Sequence, residues 1–299
     1  MAECFTEFLK KQEVEYKRNT KLSGLSYIGV GGECSFALYP DTAEKLINIL
    51  CFLCEKNLDF RLAGKMTNIL PSDSYYDGSV IFTERMTGYI REGNLVTAEC
   101  GVRLSRLIYE LAEGSLGGAE NLYGIPGTLG GAIVGNSGAF GSEISDIVSS
   151  VTAFDIIERK VIKLYKDELS FSYRSSIFKE RPMVILSAEL LFKSAPTDIT
   201  KAKLKKIIKE RIKKQPCGKR TLGSTFKRHK SIPVSKIIDD LGLKGYSIGG
   251  AVISPFHAGF MQNSSGASSL DFQRLIEYVK EKINSVYGFV PEEEIVIWK

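Results

Sequence analysis

Between Gly117 and Gly141 the chain carries nine glycines and a single charged side chain, Glu120. A run so poor in functional side chains can act on a ligand only through its backbone. Glycine allows φ > 0 and close approach, so successive N–H groups can converge on an anion, while Pro126 stiffens the turn ahead of Gly127 and Thr128. A neutral loop of this kind can hold a diphosphate. The same composition also suits a buried glycine-rich crossing with no ligand. A second loop, Arg61 to Pro71, follows an apolar run and offers Gly64, Lys65, Thr67 and Asn68 where a strand should end, a second place for a phosphate. The common nucleotide fingerprints do not fit: there is no G-x-x-x-x-G-K-[ST], and Gly29-Val-Gly31-Gly-Glu-Cys34 lacks the third glycine of G-x-G-x-x-G. Gly135-Asn-Ser-Gly-Ala139 does not complete a nucleophile elbow.

Of the six cysteines only Cys51 and Cys54 are spaced as metal or redox ligands. They sit in an apolar, helix-like segment. With no second CxxC and only His229 and His257 as histidines, no metal is expected, and the cysteines read as reduced, mostly core residues. The net charge of +5 is uneven, because Lys201 to Lys230 holds thirteen Lys or Arg against the single acid Glu210, a local +12. That region could meet a phosphorylated small molecule, a nucleic acid or only water. Phe226 is its one aromatic, whereas single-strand binders interleave aromatic stacking platforms.

Several elements must position these loops. Asp41 to Leu58 reads as a helix opened by an Asp-Thr-Ala-Glu capping box, with Leu46, Ile49, Leu50, Leu53 and Cys54 at helical spacing. Short strand signals follow at Phe60 to Leu62, Val80 to Thr83, Tyr89 to Ile90 and Leu95 to Cys100, the last two joined by the turn Arg-Glu-Gly-Asn. Ser105 to Glu113 reads as a helix capped by Ser105 and ended by Gly114. Val148 to Ile162 and Met183 to Phe192 are strand-like. Ala195 to Asp198 reads as a linker, after which Thr200 to Lys214 places Leu204, Ile207, Ile208 and Ile212 on one helical face. A final helix, Ser269 to Val286, precedes an acidic turn and a terminal strand, Ile295 to Trp298.

The 299 residues, 43% hydrophobic and with 16 Phe and 13 Tyr, suffice for two or three cores and exclude a disulfide-stapled module or a disordered chain. No apolar run approaches the roughly 18 to 20 residues of a spanning helix. The N-terminal residues mix both charges and lack a signal-peptide order. A cytoplasmic protein that neither crosses a membrane nor binds nucleic acid is therefore expected.

Taken together, the Arg61 to Pro71 loop, Gly124-Ile-Pro-Gly-Thr-Leu-Gly-Gly-Ala132 and Asn136-Ser-Gly-Ala-Phe-Gly141 resemble the FAD-binding core of the bacterial UDP-N-acetylenolpyruvoylglucosamine reductase (MurB) family. Phe171-Ser-Tyr-Arg-Ser-Ser-Ile-Phe178 is similar to that family's Tyr-Arg-x-Ser-x-Phe segment. Gly223-Ser-Thr-Phe-Lys-Arg228 is similar to its Gly-Ser-x-Phe-Lys stretch, and Glu292-Glu-Glu-Ile-Val-Ile297 to its C-terminal strand. Ile28-Gly-Val-Gly-Gly32, Ile248-Gly-Gly-Ala251 and His257-Ala-Gly-Phe-Met-Gln-Asn263 extend the likeness over nearly the whole chain. His257-Ala-Gly-Phe and the Lys214-Gln-Pro216 lead-in resemble the second subtype, which lacks an inserted tyrosine-bearing loop. The departures are Met66 for a usual glycine, Thr67 for a usual serine and His229 for a usual proline.

The resemblance implies an α+β protein, with a two-subdomain FAD-binding fold of the PCMH/VAO type followed by a separate α+β substrate-binding domain. The expected parts are residues 1–76 and 77–198 for FAD, 199–283 for substrate, and a tail, 284–299, returning to the active site. The implied activity is NADPH-dependent reduction of an enolpyruvyl ether of a UDP-sugar, with non-covalent FAD, in a monomer. The implied flavin contacts are Gly64, Lys65, Thr67, Asn68, Ile125, Pro126, Gly127, Thr128, Gly130, Gly131, Asn136 and Gly138. Arg174 would stabilise the enolate, Ser224 would donate the proton and Glu294 would assist at the enol. Tyr173, Lys214 and Arg228 would contact substrate, the last two at its diphosphate. Two rivals remain: an oxidase on the same flavin fold, and a nucleic-acid binder using residues 201–230.

Overall fold

The computed structural model describes residues 2–230 and 232–299. The chain divides into two compact units. The first takes the N-terminal residues through Arg18, Phe36–Lys65 and Gly78–Lys209; the second takes Asn19–Ser35, Met66–Asp77 and Glu210–Lys299.

In the first unit the apolar stripe of Leu46, Ile49, Leu50 and Leu53 makes Ala43–Glu55 a helix with one fully buried face. Its cap is Thr42, one residue later than the capping-box reading placed it: the Thr42 hydroxyl accepts from the Lys45 N–H at 3.2 Å, while Asp41 pairs with the Lys45 ammonium. This face packs with Phe36, Leu38 and Ile81. Beside it Phe60–Ala63 and Tyr76–Phe82 pair in parallel, Phe60 opposite Ser79 and Ala63 opposite Phe82.

The larger sheet of this unit has five antiparallel strands in the order Lys160–Tyr165, Val148–Asp155, Met183–Leu191, Leu95–Glu99, Tyr89–Glu92. The expected hairpin is present, with Glu92 opposite Leu95 and Gly93 at φ +62° in the two-residue turn. The next helix, Leu104–Glu113, buries Leu104, Leu107, Ile108 and Leu111. Ser105 is not its cap. The Ser105 hydroxyl donates to the Ile125 carbonyl and accepts the Gly124 N–H, both at 2.9 Å, so it ties the helix to the glycine-rich segment.

The helix Thr197–Lys214 contributes residues to both units. Its buried side is Thr200, Leu204 and Arg211, with Ile207 and Ile208 half-buried. Ile212, expected inside, is 58% exposed, and Arg211 is 5% exposed. The Arg211 guanidinium donates to Gln215 one turn on, which offsets part of the cost of burying a cation.

The second unit centres on a four-stranded antiparallel sheet, Thr221–Ser224, Phe260–Asn263, Ala251–Ile253, Ser247–Ile248, against Val234–Asp240 and Ser269–Tyr287. The long helix buries Phe272, Leu275, Ile276, Val279 and Ile283. Its start is capped twice. Ser268 and Asp271 exchange a capping box, and the carboxylate of Asp73 accepts the Ser269 N–H at 2.9 Å and the Leu270 N–H at 3.2 Å. The backbone N–H of Ser268 and that of Gly250 hold the Asp271 carboxyl below the usual carboxylate range. Gly288 ends the helix at φ +72°. Asp73→Ala is expected to lower stability by about 1–2 kcal/mol, the value of a lost cap. Urea denaturation should read this, and hydrogen exchange should show faster exchange at Ser269 and Leu270.

Among the described residues no helix is long and apolar enough to cross a membrane.

Candidate active site

Thr128 organises the glycine-rich segment. Its hydroxyl accepts the Gly131 N–H at 3.3 Å and caps the short helix Leu129–Val134. The N–H groups of Leu129 and Gly130 go to the carbonyls of Val102 and Cys100 at 2.8 Å each. Gly127 sits at φ +118°. Among the described residues no group accepts a hydrogen bond from the N–H of Gly127 or of Thr128. Two successive donors in an uncharged loop suit a diphosphate, so the residues present fit a flavin dinucleotide. A Cβ built on Gly64 would overlap the Thr128 hydroxyl, so the end of Phe60–Ala63 packs directly on this turn. Two of the expected flavin loops thus meet within the first unit. Gly130 is glycine for a different reason, since a Cβ there would lie 3.0 Å from the Cβ of Cys100.

Farther along, Gly138–Ala139 pairs with Ser142–Glu143 in a tight hairpin whose Phe140 and Gly141 both have positive φ. A second small loop faces it. Ser172 and Ser175 exchange both backbone hydrogen bonds at 3.1 Å, which leaves Tyr173 and Arg174 at the tip, Arg174 at φ +57°. A left-handed conformation costs a side-chain-bearing residue roughly 1–2 kcal/mol, so the surroundings must enforce it. They do so with the Arg174 guanidinium donating to the Gly138 carbonyl at 3.1 Å and the Lys179 ammonium donating to the Arg174 carbonyl at 2.7 Å. The guanidinium also lies over the half-exposed Tyr173 ring, 5.1 Å from its centroid.

In the second unit Ser224 closes the strand Thr221–Ser224 after an irregularity in register, with Gly223 at φ +77°. The C-terminal tail runs beside it. The Lys227 N–H donates to the Glu292 carbonyl at 2.9 Å, Phe226 and Glu293 form a β-bridge, and the Glu294 N–H donates to the Thr225 carbonyl at 2.8 Å. Beyond it, Val296–Ile297 pairs in parallel with Ile69–Leu70, and the Asn68 amide donates to the Glu294 carbonyl at 3.0 Å. The backbone of the second unit therefore brings Asn68, Ser224 and Glu294 together from three distant parts of the sequence. Thr67 and Met66 precede Asn68; Met66 is buried at φ +49°, a backbone that a glycine would adopt without strain.

Other expected site residues have protein partners. Lys65 is ion-paired with Glu84. Lys214 pairs with Glu210 at 3.1 Å on an exposed face, and Arg228 is exposed. His229 stacks on Phe289 at 3.7 Å between centroids. The His257 ring accepts the Gly259 N–H at 3.1 Å, and burial lowers its pKa, so it orders its own loop as a neutral ring. Burial pushes the Cys100 thiol up to about 12 and the Cys34 thiol up to about 11; these two are the buried cysteines, whereas Cys51 and Cys54 are half-buried and Cys4 and Cys217 exposed, so fewer cysteines lie in the core than expected. Among the described residues no group of three His, Cys, Asp or Glu could hold a metal ion. Two features escaped the sequence reading. Asp73 lies close to the Asn68 loop in the chain and caps a helix almost 200 residues away. Lys179 lies one residue beyond the Tyr-Arg-x-Ser-x-Phe segment. Neither has a local pattern that reports its partner.

Comparison with known proteins gives this geometry its context. A family model described as an FAD binding domain matches residues 35–160, and one described as the C-terminal domain of UDP-N-acetylenolpyruvoylglucosamine reductase matches residues 215–298. The chain is 38% identical over 293 residues to the UDP-N-acetylenolpyruvoylglucosamine reductase of Thermotoga sp. (strain RQ2), covering 98% of this chain and 96% of that protein. It is 35% identical over 300 residues to the enzyme of that name from Caldanaerobacter subterraneus subsp. tengcongensis, covering 99% of each. Among solved structures it is similar to MurB from Thermus caldophilus, with a TM-score of 0.82, 27% identity and coverage of 96% of this chain and 99% of that one. An FAD-binding domain followed by an α+β C-terminal domain of this type, matched over its full length, places the chain in the UDP-N-acetylenolpyruvoylglucosamine reductase family.

Proposed function

We propose that the chain catalyses reduction of the enolpyruvyl ether of UDP-N-acetylglucosamine enolpyruvate to UDP-N-acetylmuramate, in peptidoglycan precursor synthesis, with NADPH as hydride donor. The full-length likeness to reductases of that name carries this reading. The second subtype fits best, supported by Lys214-Gln-Pro216 and His257-Ala-Gly-Phe260. A cytoplasmic location follows from the substrate and cofactor.

The chemistry that non-covalent FAD supplies when bound is a relay of hydride from NADPH to the β-carbon of the enol ether. The backbone N–H groups of Gly127 and Thr128 would hold its diphosphate, and Gly64, Thr67 and Asn68 would contribute to its binding. The planar Arg174 guanidinium lies against the substrate carboxylate and stabilises the charge that develops there. The Ser224 hydroxyl hands a proton to the α-carbon, and Glu294 stabilises the enol from the neighbouring segment. Tyr173, Lys214 and Arg228 contact the substrate, the two cations at its diphosphate. The rest of the basic stretch is a largely solvated face on which Lys201 and Lys203 are already paired with Glu113 and Glu120.

Purified protein is expected to be yellow, to bleach anaerobically with NADPH, and to regain its flavin spectrum when the UDP-linked enolpyruvyl sugar is added. Bleaching without reoxidation by that sugar would point to an oxidase or reductase of another substrate.

A further inference from the structure

A buried amide on the glycine-rich segment helps to mount the loop that presents Arg174. Asn136 is 1% exposed and at φ +39°. Its Nδ2 donates to the Ser172 carbonyl at 2.9 Å and to the Glu143 carboxylate at 2.8 Å, and its Oδ1 accepts the Ser145 N–H at 3.3 Å. Its own backbone N–H goes to the Ile133 carbonyl at 3.1 Å. Both side-chain donors and the acceptor are therefore engaged inside the protein. The Ser172 carbonyl is also the acceptor that closes the Ser172–Ser175 turn, so the amide grips the base of the turn whose tip is Arg174. Two further bonds run between the same segments: the Ser176 hydroxyl donates to the Val134 carbonyl at 2.9 Å, and the Arg174 guanidinium donates to the Gly138 carbonyl. Of these, only the Asn136 bond is a side-chain donor reaching the Arg174 turn from the glycine-rich side.

We propose that Asn136 is a positioning residue for Arg174, and that the glycine-rich segment thereby aligns the substrate-carboxylate cation as well as the cofactor. This rests on the reading of Arg174 given above. It assigns the Asn136 amide to the protein and not to the flavin. Glu143 is the strut's second anchor: its carboxylate accepts the other Nδ2 proton and so orients the amide with its donor toward Ser172.

The test uses holoenzyme in rapid-mixing experiments that separate flavin reduction by NADPH from reoxidation by UDP-N-acetylglucosamine enolpyruvate. Asn136→Ala is expected to retain FAD and to lower the limiting rate of reoxidation by about 10- to 100-fold, the size of effect that misplacing a reacting group by about an ångström produces. The loss should not add to that of Arg174→Ala, because a misplaced and a missing guanidinium fail in the same way. The isosteric Asn136→Asp keeps the packing but sets a carboxylate against the Ser172 carbonyl and Glu143. Its reoxidation rate should fall at neutral pH and recover as pH drops, since only the protonated acid can donate. This variant also guards against a failure of Asn136→Ala to fold.

Additive losses, a pH-independent Asn136→Asp rate, or a normal rate per bound flavin with FAD occupancy reduced would overturn the assignment. The last of these would make Asn136 a cofactor ligand. If Arg174→Ala collapses reoxidation while both Asn136 variants match the unaltered enzyme, only the positioning role falls. If Arg174→Ala itself reoxidises normally, the reading of Arg174 falls and the positioning role with it.

Discussion

Ser224→Ala is expected to leave reduction of the flavin by NADPH nearly intact and to slow reoxidation by the enolpyruvyl substrate at least ~10²-fold, since general acid catalysis is typically worth 10²–10⁴. Hydride movement from nicotinamide to flavin requires no proton from a hydroxyl, whereas the α-carbon of the product must receive one. A serine that merely completes a turn behaves otherwise. Its loss would remove a hydrogen bond worth about 1 kcal/mol and would touch stability or both half-reactions modestly. The local geometry supports a specific role: the register shift between Thr221 and Ser224 and the positive φ of Gly223 re-aim the strand end, and the tail that carries Glu294 is bonded to the very next residue, Thr225. Single-turnover traces with each half-reaction isolated provide the measurement. Equal slowing of both halves, or an unslowed second half, would remove Ser224 from the proton path.

Gly127→Val is expected to yield protein that folds and is colourless. At φ +118° any L side chain is strained, and a β-branched one most of all, so the turn must move and carry the N–H donors of Gly127 and Thr128 out of line. A control at another positive-φ glycine, away from the loop, separates this from general destabilisation. Gly93 also has positive φ, lies in the hairpin between Glu92 and Leu95, and has open space where a Cβ would go. Gly93→Val should therefore lose some stability yet purify yellow. Circular dichroism confirms folding, and the ratio of flavin to protein absorbance reads occupancy. A fully loaded Gly127→Val enzyme would dissociate this turn from diphosphate binding.

Much of the architecture is legible locally. The helix Ala43–Glu55, the hairpin Tyr89–Glu99 and the helix Ser269–Tyr287 follow from hydrophobic period and turn chemistry, which act over a few residues. The errors were also local. Ser105 has the composition of a cap but is used to fasten Gly124 and Ile125, and Ile212 lies on the periodic stripe but outside the buried face, where Arg211 is enclosed instead. A periodic pattern states which side of a helix is apolar; it does not state how far a neighbour covers it.

The glycine-rich segment shows the same division at the site itself. Its composition suggested a backbone-lined cradle, because glycine permits such turns, and the resemblance of its motifs to a known family implied the flavin. The composition could not distinguish the glycines. Gly127 is required by its φ, Gly130 by contact with Cys100, and Gly64 by contact with Thr128, and the last two reasons depend on a neighbour remote in sequence. Likewise the motifs named Arg174, Ser224 and Glu294 one by one. Tertiary structure decided that Asn68, Thr225 and Glu294 share hydrogen bonds, that Asp73 caps Ser269–Tyr287, and that Asn136 and Lys179 hold the Arg174 turn. Residue types and short-range spacing determine which chemistry a chain can carry. Where its few reactive side chains stand is set largely by long-range backbone pairings and buried polar bonds, such as Asn68 to Glu294 and Asn136 to Ser172, whose partners lie too far apart in sequence for a local pattern to report them.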